Sequence, residues 1–170
     1  MNYHKITYPD IENGDGVRLT LWVSGCSHHC HGCHNPETWS PNGGKPFTKE
    51  TVQEIVDILD DKDYLDGVTL SGGDPLYMSN ISPIYNLCRM LKKRYPQKTI
   101  WLYTGYQYEW IMRRPVYAQV MQFVDVLVDG EYDEEKRDIS LPFCGSSNQR
   151  LIDVNESRKT QSVVLWKPKD

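Results

Sequence analysis

The spacing of apolar and polar positions divides the chain into alternating strands and helices. Val17–Ser24 (VRLTLWVS) is rich in β-forming residues and closes on Gly25, so it reads as a strand. In Thr48–Leu59, the residues Val52, Ile55, Val56 and Leu59 fall at i, i+3, i+4 and i+7, the spacing of one helical face. Thr48 is placed to cap that helix, with Phe47 and Val52 as a hydrophobic staple. The acidic residues Asp57, Asp60, Asp61, Asp63 and Asp66 read as a solvated face and turn. Val68–Ser71 is a short apolar strand that runs into Gly72-Gly73. Ser82 as cap and Pro83 at the first position predict a second helix, whose apolar stripe is Ile84, Leu87, Cys88 and Leu91. Thr99–Tyr103 is the next strand, ended by Thr104-Gly105. Helical segments are expected over Tyr108–Met112 and Val116–Phe123, with Pro115 between them. Val124–Val128 is a strand ended by Asp129-Gly130. The pattern then loosens, with Leu151–Val154 and Ser162–Trp166 as short final strands.

Strand and helix therefore alternate at least three times. That order predicts an α/β fold built from βαβ units, with a mostly parallel sheet and right-handed crossovers. The 170 residues are too few for a closed eight-unit barrel of ~250 residues, so a partial, open β/α barrel is expected. Residues 1–170 read as a single domain, with 151–170 an unassigned C-terminal tail. Each early strand ends in a glycine-bearing loop, at Gly25, Gly72-Gly73, Gly105 and Gly130. In parallel α/β sheets, chemistry collects at the carboxyl ends of the strands.

Composition narrows the function classes. The formal net charge of −4 argues against a generic nucleic-acid binder, which needs a basic patch. Lys92-Lys93-Arg94 and Arg113-Arg114 are short and read as solvated helix ends. No apolar run approaches the ~20 residues that span a bilayer, and Met1–Asp10 has no signal-peptide apolar region. A cytoplasmic protein with no membrane partner is expected. Three of the five cysteines crowd into residues 26–33, which suits metal ligation in a reducing compartment better than a disulfide scaffold.

That crowded segment is Gly25-Cys26-Ser27-His28-His29-Cys30-His31-Gly32-Cys33, with the spacing C-x3-C-x2-C. Three soft thiolates on one loop suit three corners of an iron–sulfur cubane. A fourth iron lacking a thiolate would be open to a small ligand, such as the amine and carboxylate of an amino acid. Zinc is the rival, since Cys26, Cys30, Cys33 and His34 form a possible Cys3His set. No second C-x2-C pair follows downstream, which counts against zinc. Taken singly, the histidines read as loop residues. A second motif, Ser71-Gly72-Gly73-Asp74-Pro75-Leu76, follows a buried strand. Its glycines let backbone approach a ligand, and Asp74 offers an acceptor to an ammonium group. Cys88, on a helical apolar stripe, reads as a small core residue.

The cysteine triplet and the Gly-Gly-acid segment together resemble the radical SAM superfamily. Asn13-Gly14-Asp15-Gly16-Val17-Arg18 resembles a segment of glycyl-radical activating enzymes. PFTKE (46–50), LSGGDPL (70–76), YTGY (103–106), VLVDG (126–130) and GSSNQR (145–150) are similar to the activating proteins of anaerobic (class III) ribonucleotide reductases. The likeness covers roughly residues 1–150. It implies an oxidoreductase that cleaves S-adenosylmethionine reductively at a [4Fe–4S] cluster and generates a glycyl radical on the reductase large subunit. It also implies a flavodoxin-type electron donor and a possible homodimer. Cys26, Cys30 and Cys33 would ligate the cluster and Gly72, Gly73 and Asp74 would hold the methionine moiety. Gly32, Cys33 and His34 would lie against the adenosyl part, with Tyr103, Thr104 and Gly105 bordering the cofactor. Asp129 and Gly130 would border it too, or shape the partner surface. The chain departs from the family at Gly32, where many members have an aromatic, at His34, where Tyr is common, and at Cys144, where a basic residue is expected. The competing readings are an activase of another glycyl-radical enzyme, a small radical SAM enzyme acting on a small molecule, and a non-enzymatic zinc adaptor. A plain nucleotide-binding α/β domain lacks a supporting phosphate-loop pattern.

Overall fold

The computed structural model describes residues 1–168. One sheet is formed by β1 (Asn2–Asp10), β2 (Arg18–Val23), β3 (Lys45–Pro46), β4 (Gly67–Gly72), β5 (Thr99–Tyr103), β6 (Val126–Asp129) and β7 (Arg150–Asp153). Their spatial order is β3-β1-β2-β4-β5-β6-β7. The central strands β2, β4, β5 and β6 pair in parallel. β1 and β7 flank them antiparallel, and β3 is antiparallel to β1, so it runs with the central four. The sheet is mixed, mostly parallel and open, as an α/β partial barrel requires.

The crossovers carry α1 (Lys49–Asp61), α2 (Ile81–Arg94), α3 (Tyr108–Met112) and α4 (Pro115–Ala118), and α5 (Val154–Thr160) follows β7. Alternation along the strands sends Leu19, Leu21, Val23 and Leu70 to one face. There they join Ile55 and Leu59 of α1 and Ile84, Leu87 and Leu91 of α2 in the main core. Burying each such side chain contributes roughly 1.5–3 kcal/mol before the entropy of ordering is offset. The other face presents Arg18, Thr20, Thr69, Ser71, Trp101 and Tyr103. A smaller cluster of Trp101, Val126 and Val128 forms on it, packed by Phe143, Leu151 and Trp166.

Arg18 lies fully buried on this second face. Its guanidinium donates to Thr69 Oγ1 (2.6 Å), Val68 O (2.9 Å), Thr99 O (2.9 Å), Thr99 Oγ1 (3.0 Å) and Asp15 O (2.9 Å). It thereby ties β2 to β4 and β5. Burial lowers its pKa to about 10, which leaves it charged at neutral pH.

Several boundaries differ from the sequence expectation. The second helix begins at Ile81, with Asn80 and not Ser82 at the cap position. Pro83 then falls within the first turn, where its missing N–H removes no helical bond. Asn80 is buried, and its Nδ2 donates to Ser24 O (2.8 Å) and Asp74 O (3.0 Å), bracing two strand-end loops. The segment 116–123 divides into α4 and a 3-10 turn at Val120–Gln122. The strand expected from Val124 begins at Val126. The Ser162–Trp166 segment makes only one isolated bridge, Leu165 to Ile152. β1 and α5 were not expected from the sequence. No helix among the described residues is long and apolar enough to cross a membrane.

Candidate functional site

Because β2, β4, β5 and β6 are parallel, the loops that follow them meet at one end of the sheet. The loop after β2 is fixed by its backbone. Gly25 N–H donates to Thr38 O (2.8 Å), and Cys26 N–H donates to Trp39 O (3.0 Å). The loop after β4 locks onto it, with Gly73 N–H on Val23 O (2.8 Å) and Asp74 N–H on Gly25 O (2.8 Å). At Gly73 the approach is too close for a side chain, since a Cβ would meet Gly25 O at 2.6 Å. The Gly-Gly pair therefore serves the packing of one loop on the other.

Between these loops lies a cavity of about 470 Å³. Cys26, Cys30 and Cys33 line it together with Gly72, Gly73, Asp74 and Thr104. His34 also lines it and packs beside Tyr132 with ring centroids 5.6 Å apart. Tyr103, Gly105 and Gly130 reach its wall as well. Gly32 does not. It faces the Glu134 carboxylate, which a Cβ would strike. Asp129 is also withdrawn, buried and held by Arg150 Nε at 3.0 Å and by Tyr108 N–H at 2.8 Å. A second hollow of about 550 Å³ beside α1, with Glu50, Glu54, Asp57 and Asp61 in its wall, contains no cysteine.

The thiols are half-buried and unpaired among the described residues. Burial pushes Cys26 up to about 11 and raises Cys30, so both are neutral at physiological pH. A bound metal would draw off their protons and be held by the thiolates. Among the described residues, no three His, Cys, Asp or Glu side chains converge as a single-ion site. Three thiols on one cavity wall suit an iron–sulfur cluster, in which each thiolate meets its own iron.

Asp74 is the polar hub. Its carboxylate accepts from Leu76 N–H (2.8 Å), from Thr104 Oγ1 (2.9 Å to each oxygen) and from Gly105 N–H (3.1 Å). His28 Nε2 lies 3.0 Å from Asp74 Oδ2, close enough for electrostatic contact but outside hydrogen-bond alignment. His28 Nδ1 meets Glu131 Oε1 at 2.6 Å. Burial would lower the imidazole pKa, but the two carboxylates outweigh it and the net shift is upward.

Sequence reasoning missed His28, Glu131 and Cys144 as parts of this cavity. His28 lies between the cysteines, yet its partners come from positions 74 and 131, so no local spacing marks it. Cys144 reaches the wall from the loop after β6, and burial pushes its thiol up to about 11. Cys88 is fully buried in the main core, as its helical stripe implied.

An open α/β sheet with three cysteines at its carboxyl end is the frame of an iron–sulfur protein. Residues 12–152 match the family model described as a 4Fe-4S single cluster domain. The chain is 44% identical over 151 residues to the anaerobic ribonucleoside-triphosphate reductase-activating protein of Enterobacteria phage T4, covering 89% of this chain and 93% of the relative. It is 43% identical over 150 residues to the protein of that name from Escherichia coli K12, covering 88% of this chain and 96% of the relative. The Pasteurella multocida protein of the same name is 39% identical, with 88% and 95% covered. The chain belongs to the family of anaerobic ribonucleoside-triphosphate reductase-activating proteins.

Proposed function

We propose that this chain is a radical SAM activase that generates a glycyl radical on an anaerobic ribonucleotide reductase. The observation that carries the reading is one cavity walled by both Cys26, Cys30 and Cys33 and the Gly72-Gly73-Asp74 segment. The chemistry a [4Fe–4S] cluster supplies there is one-electron reduction of the S-adenosylmethionine sulfonium, giving methionine and the 5′-deoxyadenosyl radical that takes hydrogen from a glycine Cα. Cys26, Cys30 and Cys33 would hold that cluster, and, with no fourth thiol in the cysteine motif, the methionine amine and carboxylate would be free to bind it. The Gly72-Gly73 backbone receives the methionine moiety. Asp74 acts mainly by fixing Thr104 and Gly105, since those groups and Leu76 already occupy its oxygens. Cys33 and His34 border the adenosyl part, while Gly32 shapes the turn behind them. A flavodoxin-type donor, the reductase large subunit as target, a homodimer and a cytoplasmic setting complete the reading.

The test is anaerobic reconstitution with iron and sulfide, then dithionite reduction and assay of 5′-deoxyadenosine from added S-adenosylmethionine. The unmodified chain is expected to form 5′-deoxyadenosine. Cys30→Ala is expected to form none while keeping its circular dichroism, because the loop lies at the surface. Full activity in that variant would remove the cluster assignment. A chain that retains zinc and takes up no iron would instead be an adaptor.

A further inference from the structure

The cysteine loop is joined to the protein surface by a continuous aromatic contact that substrate cleavage does not use. Tyr106, in the loop after β5, lies with its ring centroid 4.5 Å from His28. Its hydroxyl is 3.2 Å from Ser27 Oγ, on the residue next to Cys26. Trp110, one helical turn further, stacks on Tyr106 at 4.4 Å with only 9° between the planes. Tyr117 of α4 braces both rings, at 5.6 Å from Tyr106 and 4.8 Å from Trp110. Over the outer face of Trp110 lies the Arg114 guanidinium, 3.8 Å from the ring. Tyr106 and Trp110 are only partly buried, packed against the main core from outside.

Arginines gather at the outer end of this stack on a chain of net charge −4, while the exposed carboxylate at its inner end, Glu131, is held by His28 at 2.6 Å. Arg113, Arg114 and Arg158 are exposed there. Arg113 is the C-cap residue of α3, and Arg158 lies on α5, which follows β7, the strand whose Arg150 pairs with Glu109 of α3. The nearby carboxylate of Glu109 is already paired with Arg150, at 2.8 and 3.0 Å. Met112 (37% exposed) and Val116 (53% exposed) add apolar contact area.

The geometry points to α3 as the docking surface for an acidic one-electron carrier protein, with Trp110 and Tyr106 as the route to the Cys26 loop. Charge complementarity selects the partner, since a low-potential carrier with an acidic rim meets the arginines, with Arg114 over the outer face of Trp110 as the contact between carrier and indole. One electron leaves the reduced carrier, which is oxidised by one equivalent. It arrives on the cluster, which is reduced by one equivalent, and no bond or proton is exchanged. The inference rests on the reading that Cys26 holds a cluster.

The test uses the full chain with its cluster reconstituted and photoreduced flavodoxin as the probe. Bleaching of the cluster absorbance is followed by stopped flow, in parallel with bleaching by dithionite, which is small and needs no dock. Arg113→Glu combined with Arg158→Glu is expected to slow flavodoxin-driven bleaching about tenfold or more at low salt. The same variant should flatten the salt dependence and leave the dithionite rate unchanged. Trp110→Leu is expected to lower the limiting rate at saturating flavodoxin. An unchanged flavodoxin rate in the double variant would put the dock elsewhere and overturn the inference. Equal slowing with both reductants would mean a disturbed cysteine loop and would overturn it too. An unmodified chain that takes up no iron fails earlier, at the proposed function, and removes the route with it.

Discussion

Asp74 is a buried carboxyl side chain whose oxygens are met by hydrogen-bond donors. The Leu76 and Gly105 amides and the Thr104 hydroxyl all point at its two oxygens. Asp74→Ala leaves those donors unpaired at a position where the carboxylate is almost wholly buried. Urea unfolding of the metal-free protein is expected to show a loss of about 1.5–3 kcal/mol. Asp74→Asn keeps the shape but turns an acceptor into a donor facing other donors, so a smaller loss is expected. The contrast between Asp74 and His28 shows what a sequence reveals at this scale. Asp74 was visible because Gly-Gly-Asp is a contiguous motif after a strand. His28 was not, because its partners Asp74, Glu131 and Tyr106 come from three other loops.

At the scale of elements, Arg18 joins three strands through carbonyls and hydroxyls that no apolar residue could satisfy. Arg18→Met removes five hydrogen bonds and strands their acceptors in the interior. A loss of roughly 3–5 kcal/mol is expected, read as a shift in the denaturant midpoint. A second tie links α3 to β7. The hydrogen bonds from Arg150 hold Glu109 down at about 2, below its ordinary 4.5. A carboxylate with a lowered folded pKa stabilises above its unfolded value, and that contribution fades as pH falls from about 4.5 towards 2. Glu109 is half-exposed, so solvent screening keeps the effect small. Glu109→Gln should flatten the acid limb of a Tm-against-pH curve relative to the unmodified chain, and an unaltered limb would show the pair to be inert. The two long helices were legible because their apolar positions repeat every 3.6 residues, and the central strands because they are short, nearly continuous runs of β-forming residues, buried on both faces and closed by glycine loops. β1 was not, because Asn2–Asp10 is an outer strand with only Tyr3 fully buried, which leaves no clean alternation. α5 lacks an apolar stripe and is capped by Asp153, which accepts from Glu156 N–H at 2.9 Å.

Across the whole molecule, the open barrel leaves a face and an edge that must be covered. The segment after α5 returns along β7, with Asp153 N–H on Val164 O and Trp166 N–H on Leu151 O, both at 2.9 Å. Trp166 then packs edge-on against Trp101, 5.0 Å between centroids. Trp166→Ala is expected to cost about 1.5–3 kcal/mol and to weaken the near-ultraviolet dichroism of the paired indoles, while the cysteine loop keeps its shape. That loop has a consequence of its own. Its peptide groups at Gly25 and Cys26 bond to Thr38 and Trp39, the Asp74 amide of the loop after β4 bonds to Gly25, and none of those bonds needs a metal. Amide exchange at these three positions should be equally slow before and after iron loading. A molecule stripped of its inorganic centre by oxygen would then remain a finished mould. Re-supply of iron and sulfide is then expected to restore the centre without new protein synthesis.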